Sequence, residues 1–208
     1  NAPPVGTPVG VTLTAAGGAR IFAAGTQAQA QATASVGAGG VVSIPLPIAD
    51  LCTAGSTNAV AMGLDIGNST CPSTSAGTVT YNAPTFTAIG AVTTAARATP
   101  APLAITGTNL PADGSPVEVR FLAAGGATPF ANGTQAQAQV TGVVSGGGTT
   151  ISIVPPVGTV CGSNVATSVE VVLRGGPCAY AVGGSFTHIA PTLASLAPTT
   201  VDALAPVG

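Results

Sequence analysis

This chain has no lysine, no tryptophan, one histidine and one methionine, and its four arginines and six acids make up only 5% of 208 residues. Each shortage closes off a class of function. Four scattered cations and a net charge of −2 cannot track a nucleic acid backbone, because such binding draws its affinity from many phosphate contacts. A lone histidine leaves a catalytic triad without candidates, and no G-x-S-x-G elbow is present. The acids (Asp50, Asp65, Asp113, Glu118, Glu170, Asp202) recur at no shared position of the internal repeat, so neither a carboxylate pair nor a calcium cage is indicated. The expectation is a chain that is not an enzyme and takes no cofactor or metal. The longest apolar runs, such as Val41 to Ile48 (VVSIPLPI), are broken by Pro, Gly or Ser, so no membrane span is expected.

What is present is Ala, Gly, Thr, Ser, Val and Pro, with 46% hydrophobic residues arranged in short alternating runs. That combination is ordered β structure rather than disorder. So little charge also leaves little repulsion between copies, which suits a protein that packs against itself. The first residue is Asn1, and no charged n-region precedes an apolar stretch. The chain reads as a processed or excised piece.

Residues 109 to 135 (NLPADGSPVEVRFLAAGGATPFANGTQ) align without a gap on residues 1 to 27 (NAPPVGTPVGVTLTAAGGARIFAAGTQ). Gly133 matches Gly25, Cys161 matches Cys52, Cys178 matches Cys71 and Pro191 matches Pro84, which makes a tandem repeat with a period of about 107 to 109 residues. The first copy starts in the middle of a unit. Residues 84 to 108 precede the second copy's Asn109, whereas nothing precedes Asn1. Residues 191 to 208 resemble the opening of a third copy (PTLASLAP against PTFTAIGA), yet they leave Pro102 to Thr108 (PLAITGT) without a counterpart. The expected division is an incomplete unit over 1–82, a complete unit over 83–190 and an orphan opening strand over 191–208.

Within the complete copy, strands are expected near 84–91, 101–107, 116–122, 133–141, 148–154, 166–174 and 178–188. Val117, Val119 and Phe121 alternate with Glu118 and Arg120, the pattern of a strand with one wet face. No run has helical period. Seven short antiparallel strands in about 107 residues describe an immunoglobulin-like sandwich, so the fold class is all-β with two tandem sandwiches, the first lacking its opening strands.

Leu103-Ala104-Ile105-Thr106-Gly107-Thr108-Asn109-Leu110, then Val117 to Phe121, Ile151 to Pro156, Val169 to Val172 and Phe186, resemble the IPT/TIG immunoglobulin-like domain, and Pro191 to Pro198 resembles the opening strand of another. The resemblance covers essentially the whole chain. It implies surface stalks, adhesion modules, accessory parts of carbohydrate-active enzymes, or dimerisation beside a DNA-binding module, and the charge excludes the last. The cysteine pair in each copy departs from that family's usual pattern.

Cys52 with Cys71, and Cys161 with Cys178, make one disulfide per copy the economical reading, with four buried free thiols as the alternative. Loops of this size would contribute roughly 3 kcal/mol each in the chain-entropy model. Disulfides imply an extracellular or cell-surface setting. His188 has Tyr81 as its repeat equivalent and reads as filling a strand position. The Gly37 to Gly40 and Gly146 to Gly148 clusters lack the following helix and lysine of a phosphate cradle and read as hairpin turns. Asn68-Ser69-Thr70 and Asn132-Gly133-Thr134 are sequons. Gln27, Gln29 and Gln31, repeated as Gln135, Gln137 and Gln139, alternate with alanine along one strand. They suit either a lateral contact between subunits or a solvated strand that lacks the usual protective charges.

A sandwich without its opening strands exposes unpaired backbone groups and apolar side chains, which something must cover. The tail, with Leu193, Leu196, Val201, Leu204 and Val207 as apolar anchors, has the character of that strand. The expected function is therefore a structural subunit of an extracellular filament, a homopolymer joined head to tail by strand insertion. The alternatives are a segment of a long covalent adhesin array, for which the repeat arithmetic serves equally, and a carbohydrate-binding accessory module, which seven aromatic residues would serve poorly. A glycan or cell-surface ligand, if there is one, is not named by any motif.

Overall fold

The computed structural model describes residues 3–66, 73–173 and 176–192. Among these residues the structure is all-β, and no helix is long and apolar enough to cross a membrane. β1 (Pro8–Ala15), β2 (Gln29–Ser35), β3 (Thr57–Ile66) and β4 (Ser73–Asn82) form an antiparallel sheet in the order β2-β1-β3-β4. The second copy continues with β5 (Thr85–Phe86), β6 (Ala91–Ala95), β7 (Leu103–Thr108), β8 (Pro116–Ala123), β9 (Gln137–Ser145), β10 (Thr150–Ile153), β11 (Val165–Leu173) and β12 (Ala179–Ile189). Their order is β5-β7-β10-β9-β8-β11-β12-β6.

The central run β9-β8-β11-β12 repeats the amino-terminal sheet strand for strand. Val9 pairs with Ala34 and Ile66 as Val117 pairs with Gly142 and Leu173. The alternation that predicts these strands also sets their faces: Val117, Val119 and Phe121 of β8 point inward, as do Val9, Val11, Leu13 and Ala15 of β1. On the wet face, Arg120 donates to Glu118.

The opening segment departs from expectation. Residues 84–91 do not make one strand; the chain pairs briefly with β7 as β5, crosses over, and pairs in parallel with β12 as β6. Gly90, at φ +70°, turns the corner, and a Cβ on Gly184 would stand 2.6 Å from its carbonyl oxygen. One segment thus covers both margins of the second sheet. Phe86, Ile89 and Val92 from this segment, with Leu103 and Leu110, pack on a cluster that includes Ile105, Phe121, Phe130, Ile151 and Phe186. The amino-terminal cluster is built on Val9, Val11, Leu13, Phe22, Val36 and Val60.

Candidate functional site

Two places set the copies apart and carry the chemistry of this chain: the open margin of the first copy and the joint to the second. In the second copy β10 pairs on one side with β9 and on the other with β7, and Ile151 and Ile153 are buried. Their equivalents are Val42 and Ile44. These residues form no strand, keep only a Val36–Val42 bridge, and stay partly exposed, because no described segment takes the place of β7. Glycine content tells the same story. A Cβ on Gly142 would stand 2.6 Å from the Ile151 side chain and 2.7 Å from that of Ile153, whereas its equivalent in the first copy is Ala34. Space that β10 fills in one copy holds a methyl group in the other. At the opposite margin β4 is the edge strand, where β12 in the second copy carries β6.

The I-T-G-T-N stretch is what fastens an opening strand. Gly107 passes so close to the Thr85 carbonyl that no side chain fits, the Thr85 and Thr108 hydroxyls hydrogen bond at 2.7 Å, and Asn109 donates from its side chain to the Ala83 carbonyl at 3.1 Å. Asn109 adopts φ +56°, a left-handed conformation that Asn tolerates better than most residues.

At the joint, the expected pairing of cysteines is corrected. Cys52 bonds to Cys178, not to Cys71, and joins the two copies across a sequence separation of 126 residues. Cys161, expected to bond to Cys178, is free and exposed. Cys71 lies outside the described residues. The reason is geometric: Cys52 sits in the segment that leads into β3, and this segment meets the β11–β12 connection that carries Cys178, a contact that spacing along the chain does not reveal. Tyr180 donates its hydroxyl to the Leu51 carbonyl at 2.8 Å beside the disulfide. Burial, then the Asp50 charge, raises the pKa of this phenol. A cleft of about 340 Å³ lies between Leu46–Leu51 on one side and Leu110, Leu173 and Tyr180 on the other.

His188 lies fully buried on β12, ringed edge-on by Phe130 and Phe186, with neither ring nitrogen hydrogen bonded; burial lowers its pKa. Its ring presses on Gly158, where a Cβ would not fit. Tyr81, its counterpart, donates to the Pro47 carbonyl. All six glutamines are exposed; Gln29 and Gln31 lie on edge strand β2, and Gln137 and Gln139 on the part of β9 whose outer margin has no strand partner among the described residues. Gly146–Gly148 form a turn whose last two amides donate to Asp113, so one of the six acids secures a loop. Asn132 is exposed in a turn; Asn68 lies outside the described residues, as do Leu193, Leu196, Val201, Leu204 and Val207 of the tail. Among the described residues no three His, Cys, Asp or Glu side chains gather as metal ligands would. Sequence reasoning missed Tyr180 and Gly158. Comparison of the copies could have found Gly158 through its alanine equivalent, Ala49, and Tyr180 through the serine in its repeat position.

No known family matches this chain, and no curated protein does. Among solved structures, the crystal structure of a tetra-tandem repeat in the extending region of a large adhesion protein aligns at 19% identity over 90% of this chain and 42% of that one, with a TM-score of 0.32. The chain thus spans less than half the length of that structure.

Proposed function

We propose that this chain is a non-catalytic structural subunit of an extracellular filament, made of two immunoglobulin-like units of the IPT/TIG type, and that a second copy's tail completes the first unit. The observation that carries this reading is the open margin: Val42 and Ile44 half covered, and β4 unaccompanied among the described residues, where the second copy is closed by its opening segment. An opening strand divided between two sheet margins supports the immunoglobulin-like assignment. A disulfide in the described structure supports an oxidising, extracytoplasmic setting.

In the repeat alignment Leu193 and Leu196 stand where Phe86 and Ile89 pack on the core, and residues 198–202 stand where β6 runs beside β12. Val207 takes the place of buried Pro100, Val201 that of half-buried Thr94 and Leu204 that of exposed Arg97. The first two are the anchors. The contact is heterologous, so repetition builds a filament. Exposed glutamines on free strand margins suit lateral contacts between such filaments.

A second reading, a unit of a covalent surface array, is favoured by one observation: residues 191–208 contain no equivalent of β7, the strand that pairs with β10. A longer opening segment would close both margins. Negative-stain microscopy of the full chain and of a chain ending at Thr192 tests the filament reading; filaments are expected only from the former, and filaments from both would overturn strand insertion. Hydrogen exchange at residues 42–44 sharpens the choice. Protection of the full chain by an added 84–108 peptide, in the absence of filaments, supports the array.

A further inference from the structure

We propose that β9 is a self-pairing edge: its free margin joins the same margin of a second copy, antiparallel, so that two molecules share one continuous sheet. This narrows the lateral contact of the glutamines to a single margin and rests on that reading, but it needs no insertion of the tail.

The backbone sets the donors and acceptors. The Ala123 amide donates to the Ala136 carbonyl, so Ala136 is bonded toward β8. The register carries this through Ala138 opposite Phe121, Val140 opposite Val119 and Gly142 opposite Val117. Bonding direction alternates along a strand, so the N–H and C=O of Gln137, Gln139 and Thr141 point the other way, to the outer margin. From Val143 onward β10 takes that margin, and Gln135 exchanges both of its backbone groups with Phe130. The unmet stretch thus begins at Gln137 and ends at Thr141. Beside it lies an open hollow of about 410 Å³ that, among the described residues, Gln135–Gln139 alone border.

The occupant follows from the chemistry of this edge. A row of backbone donors and acceptors repeating every second residue is met by another extended strand, and nothing charged on β9 blocks the approach. The charges beside it on β8, Arg120 opposite Gln139 and Glu118 opposite Thr141, pair with each other. A neutral edge of alternating amides is therefore complementary to itself. Of the two glutamine edges β9 stands clear, whereas on β2 Pro45 and Pro47 line one hollow with Gln31 and Thr33.

Sliding the partner strand toward Thr141 would run it into β10, whose Ile153 side chain lies 2.7 Å from where a Cβ on Gly142 would stand. The register that avoids this sets Gln137 of each copy against Gln139 of the other. Each such pair exchanges two backbone hydrogen bonds, and its side-chain amides lie opposite one another on one face. Ala138 then meets its own counterpart on the two-fold axis, at a non-hydrogen-bonded site with Cα atoms about 4.5 Å apart. Repeated along a filament, the contact would tie it to an antiparallel neighbour, each weak joint adding to the next.

The test is Ala138→Cys in the full chain, combined with Cys161→Ser to remove the exposed thiol, and oxidised with copper phenanthroline. The Cα spacing on the axis suits a disulfide. A non-reducing gel should show a band at twice the 19.6 kDa of the chain, and its peptide map should join position 138 to itself, which only two molecules can supply. Adding Gln137→Lys with Gln139→Lys should abolish that link, whereas adding Gln29→Lys with Gln31→Lys should leave it. Ala30→Cys, at the equivalent place on β2, should not link to itself. No link at position 138, or one that survives the two lysines on β9, overturns the proposal. Hydrogen exchange of the unaltered chain gives an independent reading: the Gln137 and Gln139 amides should exchange at least about tenfold faster on dilution, and an unchanged rate overturns the pairing. Microscopy keeps strand insertion separate, since filaments that form without the link at position 138 leave the filament reading standing.

Discussion

The two copies share four strands in the same register, yet one has a sealed core and the other does not. In the carboxy-terminal copy β5, β6 and β7 cover both margins, so Ile151 and Ile153 bury completely and Gly142 has no room for a Cβ. In the amino-terminal copy their places are taken by Val42 and Ile44, which lie beside the four-stranded sheet without joining it, and by Ala34 of β2, all three partly exposed. The difference shows that four strands suffice to set register and direction, while closure of the core depends on a segment that pairs with strands far away in sequence.

Substitutions at equivalent positions sharpen this contrast. Ile151→Ala should cost about 2–5 kcal/mol, whereas Val42→Ala in the isolated chain should cost about 1 kcal/mol, since a partly exposed side chain has less transfer energy to lose. Denaturant melts check both, and a rise in the Val42→Ala cost upon assembly would show that the margin has been covered. Gly142→Ala should destabilise by about 1–3 kcal/mol through overpacking against Ile151 and Ile153. The reverse change, Ala34→Gly, should cost under about 1 kcal/mol, the backbone entropy of glycine. Equal effects in the two melts would break the contrast.

Near neutral pH the second copy should carry a pH effect of its own. Burial lowers the pKa of His188, so the unfolded chain takes up the proton first as pH falls. The contribution of neutral His188 is therefore complete above its ordinary value of about 6.5 and declines below it, by at most about 1.4 kcal/mol per pH unit. His188→Phe, which also removes two unpaired buried nitrogens, should flatten the stability profile between about pH 5 and 7. Thermal melts across that range read the slope. The smallest effect concerns the equivalent turns, where Ala24 and Asn132 both hold left-handed φ angles of 56° and 57°. Ala24→Asn should stabilise by about 0.5–1 kcal/mol and Asn132→Ala should remove a similar amount, because Asn tolerates this region at lower cost.

Much of this was readable in the chain. Period-two alternation marked β8, glycine clusters marked turns, and internal alignment marked the repeat. The division of 84–91 into β5 and β6 was not readable, since crossing from one sheet margin to the other depends on where β7 and β12 lie. The cysteine pairing misled for a related reason: spacing along the chain favours the nearest partner, while the folded joint brings Cys52 against Cys178, 126 residues away.

The sequence by itself therefore determined the repeat, the β-strand pattern, the inward faces and the near absence of charge, because these follow from local alternation and composition. Only the tertiary structure decided which margins stand open, which cysteines meet and how Gly107 and Asn109 clamp an opening strand, because each depends on contacts between residues that the chain keeps far apart.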